Sequence, residues 1–220
     1  MQEPCSPALD DVLVRLPQLV GLRAELYAAL AVLERCARAG HTVLLCGNGG
    51  SAADADHIAA ELMKSFVYRR PLPAETQAAL RAQFPAAAAE LIGALETPIP
   101  AIALGGQVAT LTAFSNDVDY RYAFAQQVFG LGRPGDVLLA ISTSGNSPNV
   151  LHAAQVARVR GLSVIGLTGA SGGRLRELSD VALCAPAEQT HLIQELHLPL
   201  YHALCLALEE RLFSDHGRRS

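Results

Sequence analysis

Apolar positions along the chain follow two alternating rhythms. Between 8 and 39, Leu13, Leu16, Leu19, Leu22, Leu26, Leu30 and Leu33 recur at helical spacing, and Gly40 stands where a helix stop belongs. The spacing predicts an N-terminal helix within 1–40. A short apolar run, Thr42-Val43-Leu44-Leu45-Cys46, then ends in Gly47-Asn48-Gly49-Gly50-Ser51, ahead of a helix over about 52–66. The same unit recurs at 99–104 with a helix from about 107, and at 136–141 with a helix over about 148–160. It recurs again at 163–167 with a short helix from 172, and at 181–185 with a long helix over about 189–213. Runs that are apolar throughout are strands buried on both faces, so the pattern predicts an α/β fold. Its sheet is parallel, helices cover it on both sides, and its crossovers are right-handed. Residues 70–97, rich in Ala and Pro, break the rhythm and read as two short helices broken at Pro85. This helical insertion is expected on the surface or at an oligomer contact.

Composition narrows the class. At 220 residues, 50% hydrophobic and 17% charged, the chain suits one globular domain with a large core, 1–220, closed by a frayed tail over 214–220. A net charge of −4 gives no basic face for nucleic acid. The five cysteines (Cys5, Cys36, Cys46, Cys184 and Cys205) show no CxxC spacing, which suits a reduced, cytoplasmic protein. Met1-Gln2-Glu3-Pro4 does not open a secretory signal, and no apolar stretch reaches the ~20 residues of a membrane span.

Two loops have the composition of an anion site. In an open parallel sheet, ligands bind beyond the carboxyl ends of the strands, where the next helix leaves its first N–H groups free. Gly47-Asn48-Gly49-Gly50-Ser51 brings backbone close, and Ser142-Thr143-Ser144-Gly145-Asn146-Ser147 adds four hydroxyls ahead of Pro148 at a helix start. A helix cap needs one such residue and this loop has four, so a phosphate is the expected ligand. GxGxxG spacing and the GxxxxGK[ST] motif are both absent.

The remaining candidates lie on two helices. His57 and Glu61, at i and i+4, share a face, and Gln194 and His202 lie about two turns apart on one side of the last helix. Such residues suit a divalent-metal site, or else Glu61 and His202 make an acid–base pair; taken singly, each is more often an ordinary helix residue. Asn116-Asp117 suits contact with a polyol or a local turn.

In this order the motifs resemble the phosphoheptose isomerase family of the sugar isomerase (SIS) fold. The resemblance rests on Gly47–Ser51, His57-x-x-x-Glu61-Leu62, Ser115-Asn116-Asp117, Gly135 through Ser147, and Gln194-Glu195-x-His197-x-x-x-x-His202, and it covers most of 10–213. It implies a five-stranded parallel sheet flanked by helices and a homotetramer with sites at subunit interfaces. By the same resemblance Ser142, Thr143, Ser144 and Ser147 hold phosphate, while Asn48, Gly49, Gly50, Ser51, Asn116 and Asp117, with Glu61 and Gln194, contact the sugar. Glu61 is the base and His202 the acid, and His57, Glu61, Gln194 and His202 bind one zinc per subunit. The implied reaction converts sedoheptulose 7-phosphate to D-glycero-D-manno-heptose 7-phosphate through an enediol.

The chain departs from that family's pattern in two places. Met63-Lys64-Ser65-Phe66 replaces a Gly-Arg step after the Glu-Leu pair, leaving Lys64 as the cation, and 70–97 has no counterpart in the common form. Two rival readings are an isomerase of another phosphosugar and a non-catalytic SIS protein of the DnaA-associating type, which lacks the acid–base pair. A sugar-phosphate sensor would carry a helix-turn-helix, for which 1–40 shows no pattern.

Overall fold

A computed structural model describes residues 6–217; Cys5, the acidic N-terminal residues and the last three residues of the tail lie outside it. Five strands form one parallel sheet in the order β2-β1-β3-β4-β5: β1 Val43–Cys46, β2 Ala101–Ala103, β3 Val137–Ile141, β4 Ser163–Thr168 and β5 Val181–Cys184. Its members are the runs read from the sequence. The pleat divides their side chains between two cores. Val43, Leu45, Val137, Leu139 and Ile141 face one core, and Leu44, Cys46, Leu138 and Ala140 face the other.

The first core is covered by α1 (Pro7–Arg15), α2 (Arg23–Arg38), α3 (Gly50–Met63) and α10 (Thr190–Phe213). The second is covered by α7 (Ala123–Leu131), α8 (Pro148–Val159) and α9 (Gly173–Leu178). Between them in sequence lie α4 (Ala74–Gln83), α5 (Pro85–Ala94) and α6 (Val108–Asp117).

The N-terminal helix expected over 8–39 is divided in three. α1 ends at Arg15, a 3-10 stretch runs Pro17–Leu22, and α2 follows. Pro17 has no N–H to donate, and its ring disfavours helical backbone at Leu16, which sits at φ −126°, ψ 77°. The break is inexpensive because Leu9, Val12, Leu13, Leu19 and Leu26 are buried on either side of it. Gly40 ends α2 with φ 72°, as the sequence suggests. The two helices of 70–97 flank Pro85, also as expected, whereas α7 has no counterpart among the elements read from the sequence.

Strand order places the loops that matter. The chain leaves β1 for β2 on one side and returns to β3 on the other, so the loops after β1 and β3 open beside each other at the switch point.

Candidate active site

The loop after β1 leads into α3 and the loop after β3 into α8, so the free N–H groups of two helix starts converge. Between them is a cavity of about 310 Å³ lined by Asn48, Gly49, Gly50, Ser51, Ile141, Ser142, Thr143, Ser147, Thr190 and Gln194. Eight of these ten are site candidates singled out in the sequence; Ile141 and Thr190 are new to the site. Ser144 lies in an adjoining cavity of about 380 Å³, shared with Thr143, Asn146, Gly169 and Ser171. None of the residues lining either cavity is Lys or Arg. Negative charge there would be held by hydroxyls, amides and helix starts.

The hydroxyls are not consumed by capping. Ser147 stands at the N-cap of α8, yet its side chain makes no capping bond; its Oγ lies 3.0 Å from Ser142 Oγ. At Gly145, φ is 64° and a Cβ would collide with the Gly172 carbonyl, so only glycine lets the loop tip seat on the turn after β4. That turn is fixed in its own right: the Gly169 N–H donates to Thr143 O at 2.9 Å. His197, fully buried on α10, contacts Thr168 O through Nε2 at 3.0 Å. Burial holds the His197 pKa down at about 4.

Asn48 is held from two sides. Its amide exchanges two bonds with the buried Asn149 of α8, at 2.9 and 2.8 Å, and the Tyr120 hydroxyl donates to its Oδ1 at 2.7 Å. Asn149 and Tyr120 carry no motif that would reveal them in the sequence. Asn116 and Asp117, at the exposed end of α6, hydrogen-bond to each other and line neither cavity.

The titratable residues cluster further along α3. α3 and α10 run side by side in the same direction: a Cβ at Gly50 would collide with the Gln194 amide, and one to two turns on His57 meets Tyr201 and His202. His57 lies six residues beyond Ser51, about 9 Å along the axis at ~1.5 Å per residue. Its Nδ1 is 3.0 Å from Tyr201 Oη, and the Tyr201 hydroxyl donates to Asp54 Oδ1 at 3.3 Å. With the Tyr201 hydroxyl proton directed at Asp54, the consistent assignment has His57 donating Nδ1–H to the Tyr201 oxygen and leaving a lone pair on Nε2. That Nε2 faces Glu61 Oε1 at 3.4 Å and His202 Nε2 at 3.5 Å.

Electrostatics follow from burial. Asp54 is raised by desolvation, and Tyr201 is raised by desolvation and by the Asp54 carboxylate, so the phenol keeps its proton. His202 is lowered, first by desolvation and then by His57, which keeps it neutral. Glu61, 8% exposed, binds Lys64 Nζ through Oε2 at 2.9 Å. The notable residues that sequence reasoning missed are Asp54 and Tyr201. Their only signal is position, since Asp54 lies one turn before His57 and Tyr201 adjoins His202.

Among the described residues, no three of His, Cys, Asp and Glu form a ready metal-holding group. The donors are nevertheless of the right kind. One imidazole nitrogen, His202 Nε2, and one carboxylate oxygen, Glu61 Oε1, stand 3.5 and 3.4 Å from His57 Nε2, close to the roughly 3.4 Å edge of a tetrahedron with ~2.1 Å zinc–ligand bonds. Tyr201 fixes the tautomer of His57 as a supporting residue does in zinc sites. Gln194 rests against Gly50 and lines the loop cavity.

Parallel-sheet order, paired loops and a hydroxyl-rich helix start define a phosphosugar-binding domain of the sugar isomerase type. The model of the SIS domain matches residues 10–96 and 78–169, the two stretches overlapping within the α4–α5 segment. A phosphoheptose isomerase of Rhodospirillum rubrum is 42% identical over 204 residues, covering 93% of each chain. The structure of a phosphoheptose isomerase from Neisseria gonorrhoeae aligns with TM-score 0.69 and 34% identity, over 92% of this chain and 91% of that one. One from Francisella tularensis aligns with TM-score 0.73 and 32% identity, over 91% and 93%. The chain belongs to the phosphoheptose isomerase family.

Proposed function

We propose that this protein interconverts sedoheptulose 7-phosphate and D-glycero-D-manno-heptose 7-phosphate. The observation that carries the reading is the distance between two sites on one helix. The neutral cavity at the start of α3 suits a phosphate, and the Glu61–His57–His202 cluster lies one to three turns further on. An extended sugar phosphate held at one end thus presents its carbonyl end to a base.

In this reading the Ser142–Ser147 loop and the N–H groups opening α3 and α8 hold phosphate, while Asn48, Ser51 and Gln194 contact the sugar hydroxyls. Glu61, nearly buried, takes the proton from C1 or C2 and returns it to the other carbon through Oε1. His202, kept neutral by burial, accepts a hydroxyl proton at Nε2 and hands it to the neighbouring oxygen. The same Glu61 Oε1 and His202 Nε2, with His57 Nε2, would hold one zinc per subunit, which when bound would supply Lewis-acid polarisation of the substrate oxygens. Glu61 and His202 would then alternate between the ligand and proton-transfer roles. A cytoplasmic homotetramer is part of the same proposal. The assembly is supported by exposed Val108, Val118, Phe129 and Leu131 on and beside α6 and α7.

Purified protein, assayed against a panel of C5 to C7 sugar phosphates with added zinc, should turn over the C7 ketose, and Glu61→Gln should abolish that turnover. No turnover anywhere on the panel would overturn the reading. Metal analysis of the same preparations should find zinc in the wild type and markedly less in His57→Ala; equal content would remove zinc from the proposal.

A further inference from the structure

The loop that follows α3 is tied down by two carboxylates, one from each side. Glu209 of α10, fully buried, accepts the N–H groups of Phe66 (2.7 Å), Val67 (2.6 Å) and Tyr68 (3.1 Å) and the Nε–H of Arg70 (2.8 Å). Glu96, at the far end of the 70–97 segment, accepts both the N–H and the hydroxyl of the buried Ser65, each at 2.7 Å. The ends of that segment are themselves joined to the body: Thr97 N–H donates to Arg70 O at 2.8 Å and Ile99 N–H to Leu62 O at 2.9 Å. Arg70, with 0% of its side chain exposed, donates to Leu62 O (2.6 Å) and Glu61 O (3.2 Å), the last carbonyls of α3. The Ser65–Glu96 and Phe66–Glu209 bonds lie within two residues of Lys64, and the others hold the chain on either side of its turn.

Lys64 itself is half exposed, lies 5.9 Å over the Phe66 ring, and reaches back one turn to Glu61 Oε2. An exposed lysine left to itself samples many rotamers, and an ion pair in water is worth little. Here the backbone of its turn is immobilised by the Glu96–Ser65 pair, so the ammonium is delivered to one place. Holding Oε2 leaves Oε1 as the oxygen that faces His57 and the substrate.

We propose that Lys64 is a positioning residue for Glu61, and that the 70–97 segment acts on the reaction through it by way of Glu96. The helices α4 and α5 then serve as a strap whose end fixes the turn, rather than as a separate binding element. This rests on the reading of Glu61 as the base, and the test separates the two. A misplacement of about 1 Å at a reacting group can cost on the order of 100-fold in rate. Lys64→Met should therefore lower kcat roughly 10- to 100-fold with KM little changed, Lys64→Arg should keep most of kcat, and Glu96→Ala should lower kcat in the same direction. In the Lys64→Met background Glu96→Ala should lower kcat no further, although its effect on Tm persists. Equal losses from Glu96→Ala in both backgrounds would overturn the proposal. So would a Lys64→Met enzyme with normal kcat.

A readout independent of turnover is the reactivity of the Lys64 amine towards acetic anhydride, measured by mass spectrometry on folded protein. It should be low in the wild type and raised several-fold in Glu96→Ala and in Glu61→Gln. If Glu96→Ala leaves Lys64 as protected as in the wild type, the strap has no hold on the lysine, whether or not the protein is an isomerase.

Discussion

His197 shows how a single side chain links α10 to the Ser142–Ser147 loop. It contacts Thr168 O, whose neighbour Gly169 bonds Thr143, while its Nδ1 has no partner among the described residues. Only the neutral ring is compatible with that environment, hence the pKa near 4 against 6.5 for an exposed imidazole. Between these values the unfolded chain binds a proton that the folded chain refuses, so the contribution is complete above pH 6.5 and is lost as pH falls towards 4. Its size is on the order of 3 kcal/mol at most. Urea midpoints should drop between pH 7.5 and pH 5, and His197→Gln should flatten that drop; an unchanged pH dependence in the variant would remove His197 as its source. Residues of this kind are hard to read from sequence. Ser142 through Ser147 declare themselves by composition, because a loop with four hydroxyls exceeds what a cap needs. Asp54, Tyr201 and Asn149 do not, since their roles come from contacts across 101 to 147 residues of chain.

Among elements, those with an unbroken apolar pattern were legible and those defined by tertiary contact were not. The five strands follow directly from runs such as Val137–Ile141, buried at every position. The break at Leu16 was hidden because leucines stay in helical register across it, and α7 was hidden because its apolar run, Ala123 to Val128, sits beside no glycine-loop unit. The loop after α3 is tied to α10 by the Arg70–Glu209 bridge, which no sequence pattern announces. Both side chains have zero exposure, so removing one partner leaves a buried charge, at a cost of about 3–5 kcal/mol. Arg70→Met should lose roughly that much in chemical denaturation, and adding Glu209→Leu should lose more rather than recover any of it, because the Phe66, Val67 and Tyr68 N–H groups then lose their acceptor. A stability unchanged by Arg70→Met would show that water already reaches the pair.

At the scale of the whole molecule, the surface is unevenly finished. α6 has an apolar sequence but no buried residue, and Val108 and Val118 are 64% and 59% exposed. Such a helix is normally covered, and in the proposed tetramer a second copy would cover it. Light scattering should give the mass of four chains for the wild type and a smaller species for the double variant Val108→Asp, Val118→Asp. A wild-type monomer would refute the assembly. Asn116 and Asp117 end this same helix, away from both cavities, so any part they take in sugar contact depends on what lies against α6.

The cavity without Lys or Arg has a consequence for how substrate arrives. A basic pocket pulls anions in over a Debye length, and its capture rate falls as salt rises. Here the net charge is −4, and the donors proposed to hold the phosphate are neutral dipoles whose reach ends within a few ångströms. The protein therefore gains nothing at a distance from the charge of its ligand. If the proposed function holds, attraction would not speed encounter, and added salt should if anything raise the capture rate by screening the repulsion between a chain of net charge −4 and an anionic ligand. Discrimination among anions would be deferred until the phosphate is inside, where fit to the hydroxyls and helix starts decides.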